Sequence, residues 1–306
     1  ELAGMRLDRF VASELRATSR TRSQLIIAHS AYSPEGARLK KNHRVQAWER
    51  VVLWRPPWDE EAGDVELPIL FEDDQLVAVD KPPLVAVHPT ARHHRSTVTV
   101  MLAERRPELA VTLVHRLDRE TSGVLLLART RAADRAVKLQ LEARRNVLKR
   151  YLVLCWGWPE WERHTCELAL GRDEESPYRV RMGVRPGGLE SATTFEVLER
   201  RRRQERQYCL IRATLHTGRQ HQIRVHASAC GLPVVGDKLY GPDPDMFARG
   251  ADGELTDDDL RRLELPRQAL HHTELELTHP SGDERLSLKS PLPADMRAFW
   301  DALEPA

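Results

Sequence analysis

Apolar positions recur at helical spacing at Leu7, Phe10, Val11 and Leu15, and again at Leu25, Ile26 and Ile27 beyond the polar cluster Thr18 to Ser23, which predicts two short helices. A hairpin-like stretch follows: Ala31 to Ser33, a turn at Pro34 to Gly36, then Val45 to Leu53. Residues 55 to 68 carry three prolines and an acidic run and read as a linker. The apolar strand Leu76 to Val79 stops at Pro82 and Pro83, which cannot continue a ladder. Helical stretches from Thr97 to Arg105 and from Arg131 to about Arg144 bracket two apolar runs, Thr112 to Val114 and Val124 to Ala128. An alternating strand is expected from Arg150 to Cys155, and a loop or hairpin over 171 to 191. Strands at about Thr193 to Leu198 and Tyr208 to Leu215 flank a very basic tip, Arg200 to Arg206. Past Thr217 and Gly218 a helix carries Ile223, Val225 and Ala229 and ends at Gly231. Residues 242 to 266 read as an acidic loop insertion, and Pro293 to Leu303 as an amphipathic helix around Met296, Phe299 and Trp300. Many short strands separated by turns, without regular strand-helix alternation, favour a mixed α+β fold over a doubly wound sheet.

At 306 residues the chain can hold one large domain and a small appended one, so three parts are expected: a module over 1–58, a linker over 59–70 and a main domain over 71–306. A content of 41% hydrophobic and 30% charged residues is that of an ordinary globular protein. No apolar run approaches the ~20 residues that cross a bilayer, and nothing near Glu1 resembles a secretory signal, so a cytoplasmic protein without a membrane partner is expected. Glu1 is not a start methionine, and the numbering is expected to begin inside a longer reading frame. The four cysteines, Cys155, Cys166, Cys209 and Cys230, form no CxxC pair and read as buried free thiols. The net charge of +1 conceals an uneven distribution: residues 1 to 58 hold eleven Lys or Arg against five acids, while acids gather at Asp252 to Asp259. A basic segment on a near-neutral body suggests a module that faces a polyanion, and arginine, the commoner cation here, suits phosphate oxygens. The Arg200 to Arg206 tip, five arginines in seven residues, reads either as a solvated hairpin end or, with at least equal weight, as a contact to RNA backbone, since such a cluster repels itself unless phosphate is near.

The sharpest chemistry lies in HRLDRETSG, His115 to Gly123, between the two apolar runs. It sets one carboxylate, Asp118, between Arg116 and Arg119, with Thr121, Ser122 and Gly123 supplying turn chemistry. A nearby cation lowers a carboxylate's pKa by ~1 to 3 units, so Asp118 is expected to be ionised and able to act as nucleophile or base. Taken alone, a surface turn whose Asp caps a backbone N–H would be the commoner reading.

HRLDRETSG resembles the active-site motif of the RluA family of RNA pseudouridine synthases, in which the aspartate of HRLD is catalytic; that resemblance implies the role for Asp118. The match spans residues 71 to 300. FEDDQLVAVDKPPLVAVHP is similar to the family's first motif, a strand ending in a Lys-Pro turn, with Lys81 a candidate phosphate contact. The family usually carries Gly where this chain has Leu84, and a Leu is not expected to take φ > 0, so the turn after Pro83 is expected to differ. Tyr151 in LKRYLVLCWG resembles the family's active-site tyrosine, whose ring would lie against an extruded uracil. LHTGRQHQIRVHASACGLPVVGDKLYG resembles the third motif; by it Arg224 pairs with the catalytic Asp, and Arg219 is the less certain candidate. RQALHHTELELTHP resembles the closing strand. The resemblance further implies that Arg116 fills the place the target base vacates, with His115 counted among the RNA-binding residues. RLDRFVASEL followed by TRSQLI, with HRV at 43 to 45, is similar to the S4 RNA-binding domain, which makes Arg22, Lys40 and Lys41 candidate RNA contacts. The fold implied is a largely antiparallel sheet with helices packed on it and an RNA cleft across its middle.

Isomerising uridine needs a carboxylate near C1′ and C2′ of the ribose, a cation to keep it ionised, an aromatic face, and exclusion of water. Asp118, Arg224 and Tyr151 supply the three groups; attack on C1′ and removal of the C2′ proton both stay open, the latter with a glycal intermediate being preferred. No cofactor is expected. His216, His221 and His226, spaced by five, do not share a helix face, so no metal is expected, and the pairs His93-His94 and His271-His272 read as exposed turns or strand edges. The competing readings are a non-catalytic RNA chaperone or ribosome-assembly factor on the same fold, and a metal-dependent phosphodiesterase using His115 and Asp118. The expected RNA is large-subunit (23S) ribosomal RNA, with tRNA possible, and the chain is expected to be a monomer.

Overall fold

The computed structural model describes residues 3–14, 20–53, 65–89, 96–243 and 245–306, in two units divided between Glu61 and Ala62. Residues 59–64 of the expected linker and the pair His93-His94 lie outside the described residues, and Ile69 and Leu70 already belong to a strand.

In the first unit, helices α1 (Leu7–Glu14) and α2 (Arg20–Ser30) pack with strands β1 (Ala31–Tyr32) and β2 (Val52–Leu53), which pair antiparallel. Leu7, Val11, Ile27, Ala31 and Val45 form its core. Asp8 is buried with them; it accepts hydrogen bonds from Arg6, Arg20 and Gln24, and these hold its carboxyl well below the ordinary range.

The second unit begins with β3 (Ile69–Glu72), β4 (Leu76–Lys81), α3 (Val98–Arg105), β5 (Thr112–Leu113), β6 (Ser122–Ala128), α4 (Arg131–Ala143) and β7 (Leu148–Trp156). It continues through β8 (Arg163–Cys166), β9 (Leu170–Arg172), β10 (Met182–Val184), β11 (Thr193–Arg203), β12 (Arg206–Leu215), α5 (Gln222–Ala229), α6 (Met246–Asp252), α7 (Asp257–Leu263), β13 (Leu270–Thr278), β14 (Arg285–Lys289), α8 (Ala294–Asp301) and β15 (Glu304–Pro305). One sheet runs β15-β11-β12-β7-β13-β6-β4-β3, with β14, β5 and β8 paired onto it, while β9 and β10 form a separate hairpin. Among the paired strands only β6 and β13 are parallel, and they share just two registered positions, so the sheet is largely antiparallel.

Strand alternation separates two apolar faces. Val77, Val79, Leu125 and Leu127 join one core with Val98, Met101 and Leu102 of α3; Leu76, Ala78, Val124 and Leu126 join another with Ala133 and Val137 of α4. This explains why β6 reads as a continuous apolar run: both of its faces are covered.

Four expectations need correction. His271 and His272 are buried on the central strand β13, not exposed: the sheet covers them on both sides, and Nδ1 of His272 donates to the Val124 carbonyl. Residues 242–266 fold into α6 and α7, because Arg249 bridges Asp243 and Asp259 and a Thr256–Asp259 capping box starts α7. The basic tip is paired internally: Arg200 with Glu162, Arg201 with Glu199, Arg202 with Glu304, and Arg203 and Arg206 with Glu264. The adjacent Glu199 and carboxylates from three distant segments thus supply counter-charge to the tip. Leu84, finally, does adopt φ 67°, since Lys81 Nζ donates to the carbonyls on both sides of it, at Pro82 (2.7 Å) and Val85 (2.9 Å), and fixes the turn.

Candidate active site

One row of the sheet underlies the site. Lys81, Gly123, His272, Tyr151 and Ala213 are successive register partners on β4, β6, β13, β7 and β12. Gly123, at φ 107°, lets β6 and β13 approach, because a Cβ there would overlap the His272 carbonyl. The turn before β6, which carries Asp118, closes on itself through Thr121 N–H to the Asp118 carbonyl at 3.1 Å. It is pinned from outside by Lys81 Nζ donating to the Arg119 carbonyl (3.1 Å), Lys238 on Glu120 (2.9 Å), the Gln268 backbone N–H on Glu120 (3.0 Å) and the Gln268 amide on Thr121 (2.8 Å).

Asp118 is surrounded by protein, yet 28% of its side chain is accessible. Its Oδ2 accepts from Arg224 Nη1 at 3.1 Å and from the Gln268 amide at 3.5 Å, and lies 3.9 Å from His221 Nε2. Arg224 sits on the first turn of α5, whose start is locked to β11 by Gln222 donating to Ala192 and Thr193. The other nitrogens of Arg224 form a fork on Asp237: Nε to Oδ2 at 2.6 Å and Nη2 to Oδ1 at 2.8 Å. Asp237 is fully buried and also accepts the backbone N–H groups of Leu239 and Tyr240, and the Tyr240 ring lies 4.9 Å from the guanidinium. A relay of charges therefore runs Asp118, Arg224, Asp237.

Burial alone would raise the Asp118 pKa, but the nearby His221 and Arg224, together with hydrogen bonds from Gln268 and Arg224, carry it below the usual carboxylate value. His221 is itself pushed down to about 4 by burial and by Arg224, so at neutral pH it is uncharged and Arg224 is the cation that keeps Asp118 ionised. Asp237 is likewise held low against its burial by Arg224. Tyr151 stacks on His272 with centroids 4.4 Å apart and planes 15° apart. Burial and the Asp118 charge push its phenol pKa up, so it is a protonated donor at neutral pH.

The remaining candidates divide by direction. Arg116 is exposed in the turn beside Asp118 and forms no ion pair with a described residue. Arg219 precedes α5, and its Nε donates to the Glu190 carbonyl at 3.2 Å. Lys81 is fully buried and spends its ammonium on three carbonyls, with burial and Arg267 pushing its pKa down to about 7, so it props the turn and does not reach a phosphate. His115 is also turned inward: its Nε2 accepts the Leu126 N–H at 3.0 Å, and burial pushes its pKa down to about 3, leaving it a neutral acceptor rather than a cation for RNA. Lys40 and Lys41 are exposed in the first unit; Arg22 lies on α2, its side chain outside the described set.

Asp237 and Gln268 escaped the sequence reading. The available signal for Asp237 was an acid directly after Gly236, whose φ of 75° marks a tight turn, within the motif already noted. Among the described residues no three His, Cys, Asp or Glu side chains gather as a metal would require, and no helix is long and apolar enough to cross a membrane.

The family model for RNA pseudouridylate synthase matches residues 75–229. The chain is 37% identical to the ribosomal large subunit pseudouridine synthase D of Nitrosomonas europaea, over 99% of this chain and 85% of that protein. It is 35% identical to the synthase of the same name from Pseudomonas aeruginosa, over 96% of this chain and 91% of that one. Among solved structures, the human RNA pseudouridylate synthase domain containing 1 superposes with a TM-score of 0.63 at 26% identity, covering 79% of this chain and 89% of that chain.

Proposed function

The chain belongs to the RNA pseudouridylate synthase family and is an isomerase that converts uridine to pseudouridine in RNA, and from that premise we propose that it acts on large-subunit ribosomal RNA with Asp118 as its catalytic group. The reaction breaks the N1–C1′ bond, forms a C5–C1′ bond, and moves a proton from C5 to N1, so it is balanced without an added reagent. The observation that carries the assignment of Asp118 is its pairing with a buried arginine that is itself anchored by a second acid, in a position solvent can reach.

In this reading the Asp118 carboxylate acts at C1′ or on the C2′ proton, and either role needs it ionised. Arg224 keeps it so, and Gln268 steadies the same oxygen. The neutral Tyr151 phenol, backed by His272, meets the extruded uracil and donates a hydrogen bond. Arg116 occupies the place the base leaves, and Arg219 contacts the backbone of the same strand. The first unit is an S4-like RNA-binding module that uses Arg22, Lys40 and Lys41. The enzyme works as a cytoplasmic monomer. The large-subunit assignment follows the names of the relatives, and a non-catalytic chaperone has no observation in its favour.

Mapping pseudouridine in ribosomal RNA from cells that lack the gene tests the substrate. Loss of one or more large-subunit sites, restored by the wild-type gene and not by Asp118→Asn, is expected. An intact large-subunit profile with a missing tRNA site would overturn the substrate assignment.

A further inference from the structure

Trp48 is 99% exposed, far beyond every other large apolar side chain described as exposed, which range from 39% to 56%. It also stands at φ 67°, a left-handed conformation that a Trp occupies only at a cost. The turn that presents it is built. Glu49 N–H donates to the Gln46 carbonyl at 3.2 Å, Glu49 Oε2 accepts the Gln46 N–H at 2.7 Å, and Glu49 Oε1 meets His43 Nε2 at 2.6 Å. The backbone N–H of Gln46 and the His43 side chain hold the Glu49 carboxyl below its usual range, so its charge is spent inside the turn. Segment 40–50 otherwise carries Lys40, Lys41, Arg44 and Arg50, all exposed. A strained, rigidly held and fully bared indole in a stretch of solvent-facing cations contributes nothing to the core of the first unit, which Leu7, Val11, Ile27, Ala31 and Val45 complete without it.

We infer that Trp48 is a stacking platform for an unpaired nucleobase, with the neighbouring cations holding the phosphates on either side of that base. The reasoning rests on the RNA-binding reading of the first unit and sharpens it: a flat aromatic face accepts any base, whereas paired bases in a duplex have no free face to offer. The module is thus directed to a loop or bulge of the RNA, not to a helical stem.

The test uses the full-length protein and two fluorescent RNAs, a hairpin with a seven-adenosine loop and a blunt duplex of equal length, with affinities read by anisotropy over a range of salt. Asn tolerates the left-handed conformation without offering an aromatic face, and Phe keeps the face, so Trp48→Asn and Trp48→Phe separate fold from contact. Trp48→Asn is expected to weaken hairpin binding by about 5- to 50-fold while leaving the slope of log Kd against log salt unchanged, because the lost contact is not ionic. Duplex binding and Tm stay at the wild-type values, and Trp48→Phe restores most of the hairpin affinity. Wild-type affinity of Trp48→Asn for the hairpin overturns the inference and leaves the RNA-binding reading standing, and so does an equal loss on hairpin and duplex. A lowered Tm in both variants assigns Trp48 to the fold instead. Wild-type protein that binds neither RNA overturns the reading of the module itself, and the inference with it.

Discussion

Arg224 spends one nitrogen on Asp118 and two on Asp237, so the orientation of the Asp118 carboxylate is set by a buried acid behind the arginine. Asp237→Asn keeps the shape but leaves one acceptor oxygen for a fork that uses two. Breaking a buried pair in this way costs about 3 kcal/mol of stability, and a concomitant loss of about 10- to 100-fold in single-turnover rate is expected with RNA affinity preserved. Denaturant unfolding and rapid-quench kinetics on the same preparation check both. The pH behaviour has two windows. Asp118 and Asp237 have folded pKa values below their ordinary 3.8, so the stability they contribute is complete above that value and is lost as pH falls through the lower folded values. His221 and His115 are pushed down to about 4 and about 3 from 6.5, so the unfolded chain binds their protons first, and stability declines as pH falls from 6.5. Tm is therefore expected to drop steadily below pH 6.5 while the single-turnover rate stays flat to about pH 5, since Asp118 remains ionised there. At this scale the sequence motif named Asp118, Tyr151 and Arg224. It could not tell which way Lys81 and His115 point, because a lysine beside a turn and a histidine beside an acid look alike whether they face RNA or the backbone.

The site depends on strands approaching closely at one row of the sheet. A Cβ at position 123 would overlap the His272 carbonyl, and φ 107° is closed to Ala, so Gly123→Ala must push β13 from β6. The His272 ring that backs Tyr151 moves with β13. A fall of more than about 2 kcal/mol in stability and near-complete loss of pseudouridine formation are expected, read by thermal unfolding and nucleoside analysis. Elements with a strong period were legible: Val98–Arg105, Arg131–Ala143 and β7 stand within a few residues of their expected places. Those decided by partners were not. Residues 246–252 and 257–263 are tied together by Arg249, which reaches Asp259 ten residues on, while the Thr256–Asp259 capping box that starts the second helix is a local signal the sequence reading passed over. The Arg200 to Arg203 stretch continues as strand because its charges are met by the adjacent Glu199 and by Glu162, Glu264 and Glu304, and those last three no local window reveals.

For the whole molecule, turn spacing and the lack of strand-helix alternation indicated an α+β fold, and the second unit is built on a large sheet with a single short parallel strand pair, beside the small β9–β10 hairpin. Strand order was not legible, because β13 enters the centre of the sheet between β6 and β7 from more than a hundred residues downstream. That insertion brings Gln268 and His272 to the Asp118 turn and, with α5, gathers four distant segments around one carboxylate. The most direct test of that arrangement is a single-turnover assay with enzyme in excess over a large-subunit ribosomal RNA fragment, pseudouridine being quantified by nucleoside mass spectrometry alongside RNA affinity. Asp118→Asn is expected to bind the fragment within about 3-fold of wild type and to form no pseudouridine, a loss of at least about 10⁴-fold in rate. Pseudouridine formed by Asp118→Asn at a rate near that of the wild type would contradict the account.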